Sequence, residues 1–115
     1  MSTKIFHNPR CSKSRQTLQL LTDNNQDIDV IEYLKTPPTE KELTQIIGML
    51  GIKPRALLRK GEAEYKEAGL ANKELTDKQI IHAMVSYPKL IERPIVIKDG
   101  KAMIGRPPES VLDIL

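Results

Sequence analysis

The sequence predicts an α/β fold in the order βαβ, a helical insertion, then ββα, around a mixed four-stranded sheet flanked by helices. Three observations carry this. Short apolar runs of strand length fall near the two ends of the chain, at residues 4–7, 28–33, 94–98 and 101–104. The middle shows helical spacing and helix-start signals instead. Asp99-Gly100, between the last two runs, is the strongest short-range hairpin signal in the chain. At 115 residues, with no linker or internal repeat, the expectation is a single domain over residues 1–115.

Residues 4–7 alternate in part and end at the turn pair Asn8-Pro9, which predicts a first strand stopping just before Cys11. Ser12 is the expected N-cap of a helix that reaches about Asp23, with Leu18, Leu20 and Leu21 on its apolar side. Asn24-Asn25-Gln26 is a loop. Residues 28–33 set Ile28, Val30 and Glu32 against Asp29 and Ile31, a second strand, so parallel pairing through a right-handed crossover is the default. Thr36-Pro37-Pro38 breaks the chain. Thr39 and Glu42 form a capping box for a helix through Leu43, Ile46, Ile47 and Leu50, stopped by Gly51. Short helices are expected over 54–60 and 62–68, either side of Gly61. Thr76-Asp77 opens another, whose Ile80, Ile81, Met84 and Val85 run to Pro88. After the hairpin, Pro107 starts a terminal helix using Val111, Leu112 and Leu115. This order is that of a thioredoxin-like sandwich with a helical insertion.

Composition removes several classes of function. No apolar run is long enough to cross a bilayer, and the first fifteen residues are polar and basic rather than signal-like, so a cytoplasmic protein is expected. One cysteine forms no internal disulfide, and with two histidines it makes a poor metal cage. The net charge of +3 is unevenly spread: residues 1–22 hold Lys4, Arg10, Lys13 and Arg15 and no acid. Three per cent aromatic residues and no basic run argue against nucleic acid and leave a small anionic substrate.

The informative segment is His7-Asn8-Pro9-Arg10-Cys11-Ser12-Lys13-Ser14-Arg15. Cys11 falls between a predicted strand and a predicted helix, where unpaired backbone N–H groups and the helix dipole favour a thiolate and bind anions. Three cations around it add to that effect, whereas a buried structural cysteine has no use for them. Ser14 stands where a dithiol C-x-x-C motif carries its second cysteine, so Cys11 needs an external thiol to complete a reductive cycle. Ser14 is either a hydrogen-bond partner of the sulfur or an ordinary helix residue; His7 is either an orienting group or a structural strand end.

Together with Tyr33-Leu34-Lys35-Thr36-Pro37-Pro38, Arg55-Ala56-Leu57-Leu58-Arg59, Glu92-Arg93-Pro94-Ile95-Val96 and Gly105-Arg106-Pro107, this segment resembles the glutaredoxin-dependent arsenate reductase family over essentially the whole chain. Within that family it looks closest to a bacterial arsenate-reductase-like branch that has not been characterised. The resemblance implies that Cys11 attacks arsenate or a similar oxyanion, that Arg59, Arg93 and Arg106 bind it, and that Pro94 is cis and sets Arg93 beside Cys11. Guanidinium forks suit a tetrahedral oxyanion, because they bind bidentately and remain charged. The resemblance also implies glutathione as co-substrate, glutaredoxin as the recycling partner, no bound cofactor or metal, and a role in arsenic detoxification. Two other readings stand beside this one. A glutathione-linked thiol oxidoreductase with a different substrate would use the same basic thiolate site. A Spx-type regulator that contacts RNA polymerase shares the fold but commonly uses a C-x-x-C switch, which Ser14 removes.

Overall fold

A computed structural model describes residues 3–115 of the chain, which fall into two units. One runs through Thr36 and resumes from Arg93 to Leu115; the other is Pro37–Glu92.

The first unit holds β1 (Thr3–Phe6), α1 (Ser12–Asp23), β2 (Ile28–Ile31), β3 (Ile95–Lys98) and β4 (Lys101–Ile104). The strand order is β2-β1-β3-β4, with β1 parallel to β2 and antiparallel to β3, and β3 antiparallel to β4. This is the expected mixed four-stranded sheet. Ile5 of β1, Val96 of β3, Leu21 of α1 and Val111 near the C-terminus are fully buried together, ringed by Leu18, Ile28, Met103, Ile114 and Leu115. Each such side chain contributes about 1.5–3 kcal/mol when removed from water, which is what holds α1 against the sheet.

The β3–β4 turn is the one the sequence announces. Asp99 and Gly100 both have positive φ, 52° and 77°, the signature of a two-residue type I′ loop. The turn sets the ladder Lys98–Lys101, Ile97–Ala102, Val96–Met103 and Ile95–Ile104.

Three local expectations in this unit are corrected. Ser12 is not the N-cap of α1; Cys11 is, with extended φ −95° and ψ 123°, because its carbonyl accepts the first helical bond from the Arg15 amide at 3.0 Å. The second strand ends at Ile31 rather than Tyr33, and its alternation fails, since β2 is a sheet edge with Asp29 and Val30 exposed. The C-terminal helix is a 3₁₀ segment, Pro108–Ile114. Two successive prolines remove two amide donors, and the Ser110 amide closes back on the Pro107 carbonyl three residues earlier.

The second unit contains α2 (Glu40–Leu50), α3 (Ala63–Glu67) and α4 (Asp77–Ser86). The Thr39–Glu42 capping box is formed, and Gly51 ends α2 with φ 68°. A second capping box, Thr76 with Gln79, starts α4. α2 packs on α4, and α4 on 3₁₀ turns at Pro54–Leu57 and Pro88–Leu90. The helix expected over 54–60 stops at Leu57, because Leu58 turns extended to bridge Ile91. No helix among the described residues is long and apolar enough to cross a membrane.

Candidate active site

Cys11 sits half-buried at the start of α1, reached by a tight turn. Its amide donates to the Asn8 carbonyl at 3.0 Å, and Asn8 Oδ1 accepts from the Arg10 amide at 3.0 Å, an Asx turn across Pro9. The side chain of an N-cap residue faces first-turn amides that lack helical partners. Here a sulfur occupies that position and makes no capping hydrogen bond. Of the cations read around it, Arg10 and Lys13 are exposed, while Arg15 donates from Nη1 to the Pro9 carbonyl at 2.8 Å and clamps the loop.

His7 and Ser14 are buried as a pair, with Nδ1 and Oγ 2.7 Å apart. The Ser14 hydroxyl also accepts the Asn8 N–H at 3.0 Å. Burial pushes His7 below its ordinary range; Glu32 opposes the shift and Arg15 adds to it. With the neutral ring protonated at Nε2, Nδ1 accepts a hydrogen bond from the Ser14 hydroxyl, whose oxygen accepts from the Asn8 N–H. The hydroxyl–sulfur bond considered for Ser14 is therefore replaced by one that ties α1 to the end of β1 and to the loop before Cys11.

The hairpin delivers two of the three arginines. Extending the β3–β4 register past Ile95–Ile104 sets Pro94 opposite Gly105 and Arg93 opposite Arg106. The Gly105 amide donates to the Pro94 carbonyl at 2.9 Å, and Arg106 Nε donates to the Arg93 carbonyl at 2.9 Å. The Arg106 Nη2 then stands 3.9 Å from Cys11 Sγ. Arg93 Nε and Nη1 are buried, whereas Arg106 is exposed. The Arg93–Pro94 peptide is cis, as the resemblance implied, and so is Arg106–Pro107, which nothing in the sequence reading singled out.

Arg59 belongs to the helical unit. Its amide donates to the Leu90 carbonyl at 2.8 Å, its Nη1 pairs with Glu62, and its Nε lies 3.8 Å from Glu92. Among the described residues no three His, Cys, Asp or Glu side chains gather as a metal site. Thr17 and Gly105 drew no functional reading from the sequence. Both are buried, with Gly105 close to Thr17 and to Pro94, and neither carries a chemical group that would mark it.

A sulfur at a helix start with a guanidinium beside it can act as a nucleophile toward an anion, because the arginine offsets the repulsion between two negative groups. Known proteins resemble the chain over nearly its whole length. An uncharacterized protein of Escherichia coli K12, YfgD, is 51% identical over 113 residues, covering 97% of this chain and 95% of that one. An arsenate reductase of Neisseria meningitidis serogroup A is 45% identical over 113 residues, covering 97% of each. The solved structure of an arsenate reductase from Vibrio cholerae superposes with a TM-score of 0.97 at 49% identity, over 100% of this chain and 98% of that one. A family model described as the ArsC family matches residues 6–114, and the chain belongs to that family.

Proposed function

We propose that this protein is an arsenate reductase whose nucleophile is Cys11. The observation that carries the reading is the Arg106 guanidinium at 3.9 Å from the Cys11 sulfur, anchored on the backbone of Arg93. The Cys11 thiolate attacks arsenic(V) and displaces hydroxide or water, forming an S–As bond without change of oxidation state. Arg93 and Arg106 bind the oxyanion's oxygens and stabilise the charge that builds during displacement. Arg59 joins them on the strength of its motif.

Glutathione thiol then attacks the adduct. Arsenic gains two electrons and leaves as arsenite, while two thiols lose two electrons and become a mixed disulfide. Glutaredoxin returns Cys11 to the thiolate by exchange. This division of labour follows from Ser14, which gives the chain no resolving thiol of its own. No prosthetic group takes part. Residues 1–115 act as one domain, in the cytoplasm, where glutathione keeps thiols reduced. His7, Ser14 and Pro94 support the site by fixing the backbone on either side of the sulfur.

The test is arsenate reduction coupled to glutathione and glutaredoxin, with Cys11→Ser against the parent. Loss of turnover by about a thousandfold or more is expected for removal of a covalent nucleophile. Retained turnover would reject the scheme. Omitting glutaredoxin, or replacing it with thioredoxin, tests the recycling partner separately.

A further inference from the structure

We infer that Gly105 and Thr17 are positioning residues that set the distance between the Arg106 guanidinium and the Cys11 sulfur; the inference rests on the reading of Arg106 as an oxyanion ligand. A Cβ at Gly105 would lie 2.5 Å from Thr17 Oγ1, 2.8 Å from Pro94 Cγ and 3.1 Å from Thr17 Cγ2. At each of the other glycines a Cβ meets nothing within 4 Å. Gly105 is therefore the one glycine of this chain whose missing side chain is required by close approach.

Neither wall of that contact yields easily. Thr17 is fully buried, and its hydroxyl donates to the Lys13 carbonyl at 2.8 Å, which holds its rotamer. Pro94 is a rigid ring, and its carbonyl accepts the Gly105 amide at 2.9 Å. Thr17 lies on the helix that begins at Cys11, and Gly105 immediately precedes Arg106. The contact thus pins the strand end bearing the guanidinium directly to the element bearing the sulfur. At 3.9 Å the Nη2–Sγ approach is already long, so a shift of a few tenths of an ångström away from the sulfur weakens it further.

The experiment measures arsenate protection of Cys11 against iodoacetamide at neutral pH, together with kcat and KM for arsenate reduction, on the full chain. Gly105→Ala should weaken protection and raise KM by about tenfold, with kcat less affected and circular dichroism unchanged, because small misplacements of a binding group are costly. Thr17→Ala removes two of the three atoms that the new methyl would strike, so Gly105→Ala with Thr17→Ala should recover at least half of the lost affinity on a logarithmic scale. No recovery in the double variant would overturn the part assigned to Thr17.

Arg106→Ala is the reference. If it leaves protection intact, the oxyanion reading itself fails and this inference with it. If it abolishes protection while a folded Gly105→Ala is protected like the parent, only this inference fails. Should Gly105→Ala not fold, Thr17→Ala and Thr17→Ser decide. The truncation should weaken protection, while the serine, which keeps the hydroxyl and its bond to the Lys13 carbonyl, stays within about twofold of the parent. Equal protection in all three overturns the inference.

Discussion

At the residue scale the site is a sulfur between two supports: a loop clamped beneath it and a guanidinium beside it. His7 belongs to the clamp. Its burial disfavours the imidazolium, so the folded chain binds that proton more weakly than the unfolded chain does, whose ordinary value is 6.5. The stabilising contribution is complete above that value and is lost progressively as pH falls through it toward the lowered folded value. Urea midpoints compared at about pH 7.5 and about pH 5.5 should drop with acidification, and His7→Gln should show the smaller drop. An equal drop in both proteins would locate the acid sensitivity in other groups.

Arg59 presents a different balance, since one guanidinium faces two carboxylates. An anion that uses Arg59 competes with Glu62 for it. Glu62→Gln should therefore lower KM for arsenate by about two- to fivefold, the equivalent of the roughly 0.5–1 kcal/mol of a partly exposed ion pair. An unchanged KM would argue that Arg59 takes no part in anion binding.

At the scale of elements the β3–β4 hairpin does most to build the site. The two-residue turn closes on the Lys98–Lys101 pair, and the same register carried to the far end of the ladder brings position 93 opposite position 106. A single glycine inserted between Asp99 and Gly100, provided that cross-strand NMR contacts show it to slip the register by one instead of lengthening the loop, turns facing side chains away from each other. Arsenate protection of Cys11 should then fall by about tenfold or more in a protein that still folds, as expected when a binding group is displaced. Wild-type protection would mean that the pairing of Arg93 with Arg106 is dispensable.

The helical elements show a second lesson. The Thr39–Glu42 box and the Gly51 stop were readable because capping depends on four neighbouring residues. The same locality misled at Ser12. Ser12 is the better capping side chain, but the helix begins where the chain leaves the Asn8-Pro9 turn, and that point is Cys11. The displacement by one residue makes the sulfur, rather than a hydroxyl, the group at the helix start.

For the whole molecule, the sequence by itself determined the order of elements, the four strands and the hairpin turn, and it singled out Cys11 as the candidate reactive centre. Each of these follows from periodicity, turn chemistry or charge within a window of about ten residues. It did not determine that β2 would lie at an edge and leave Val30 exposed, since strand order depends on which partners the other segments find. Nor did it reveal the Ser14–His7 bond, the Arg15 clamp on Pro9, or the contact of Gly105 with Thr17 and Pro94. Only tertiary structure decided these: the first two span seven and six positions but depend on how the chain turns between β1 and α1, while the Gly105–Thr17 contact and the approach of Arg106 to Cys11 join residues 88 and 95 positions apart. A glycine and a threonine carry no chemical label, and the part inferred for them arises only when packing brings them into one small space with Pro94.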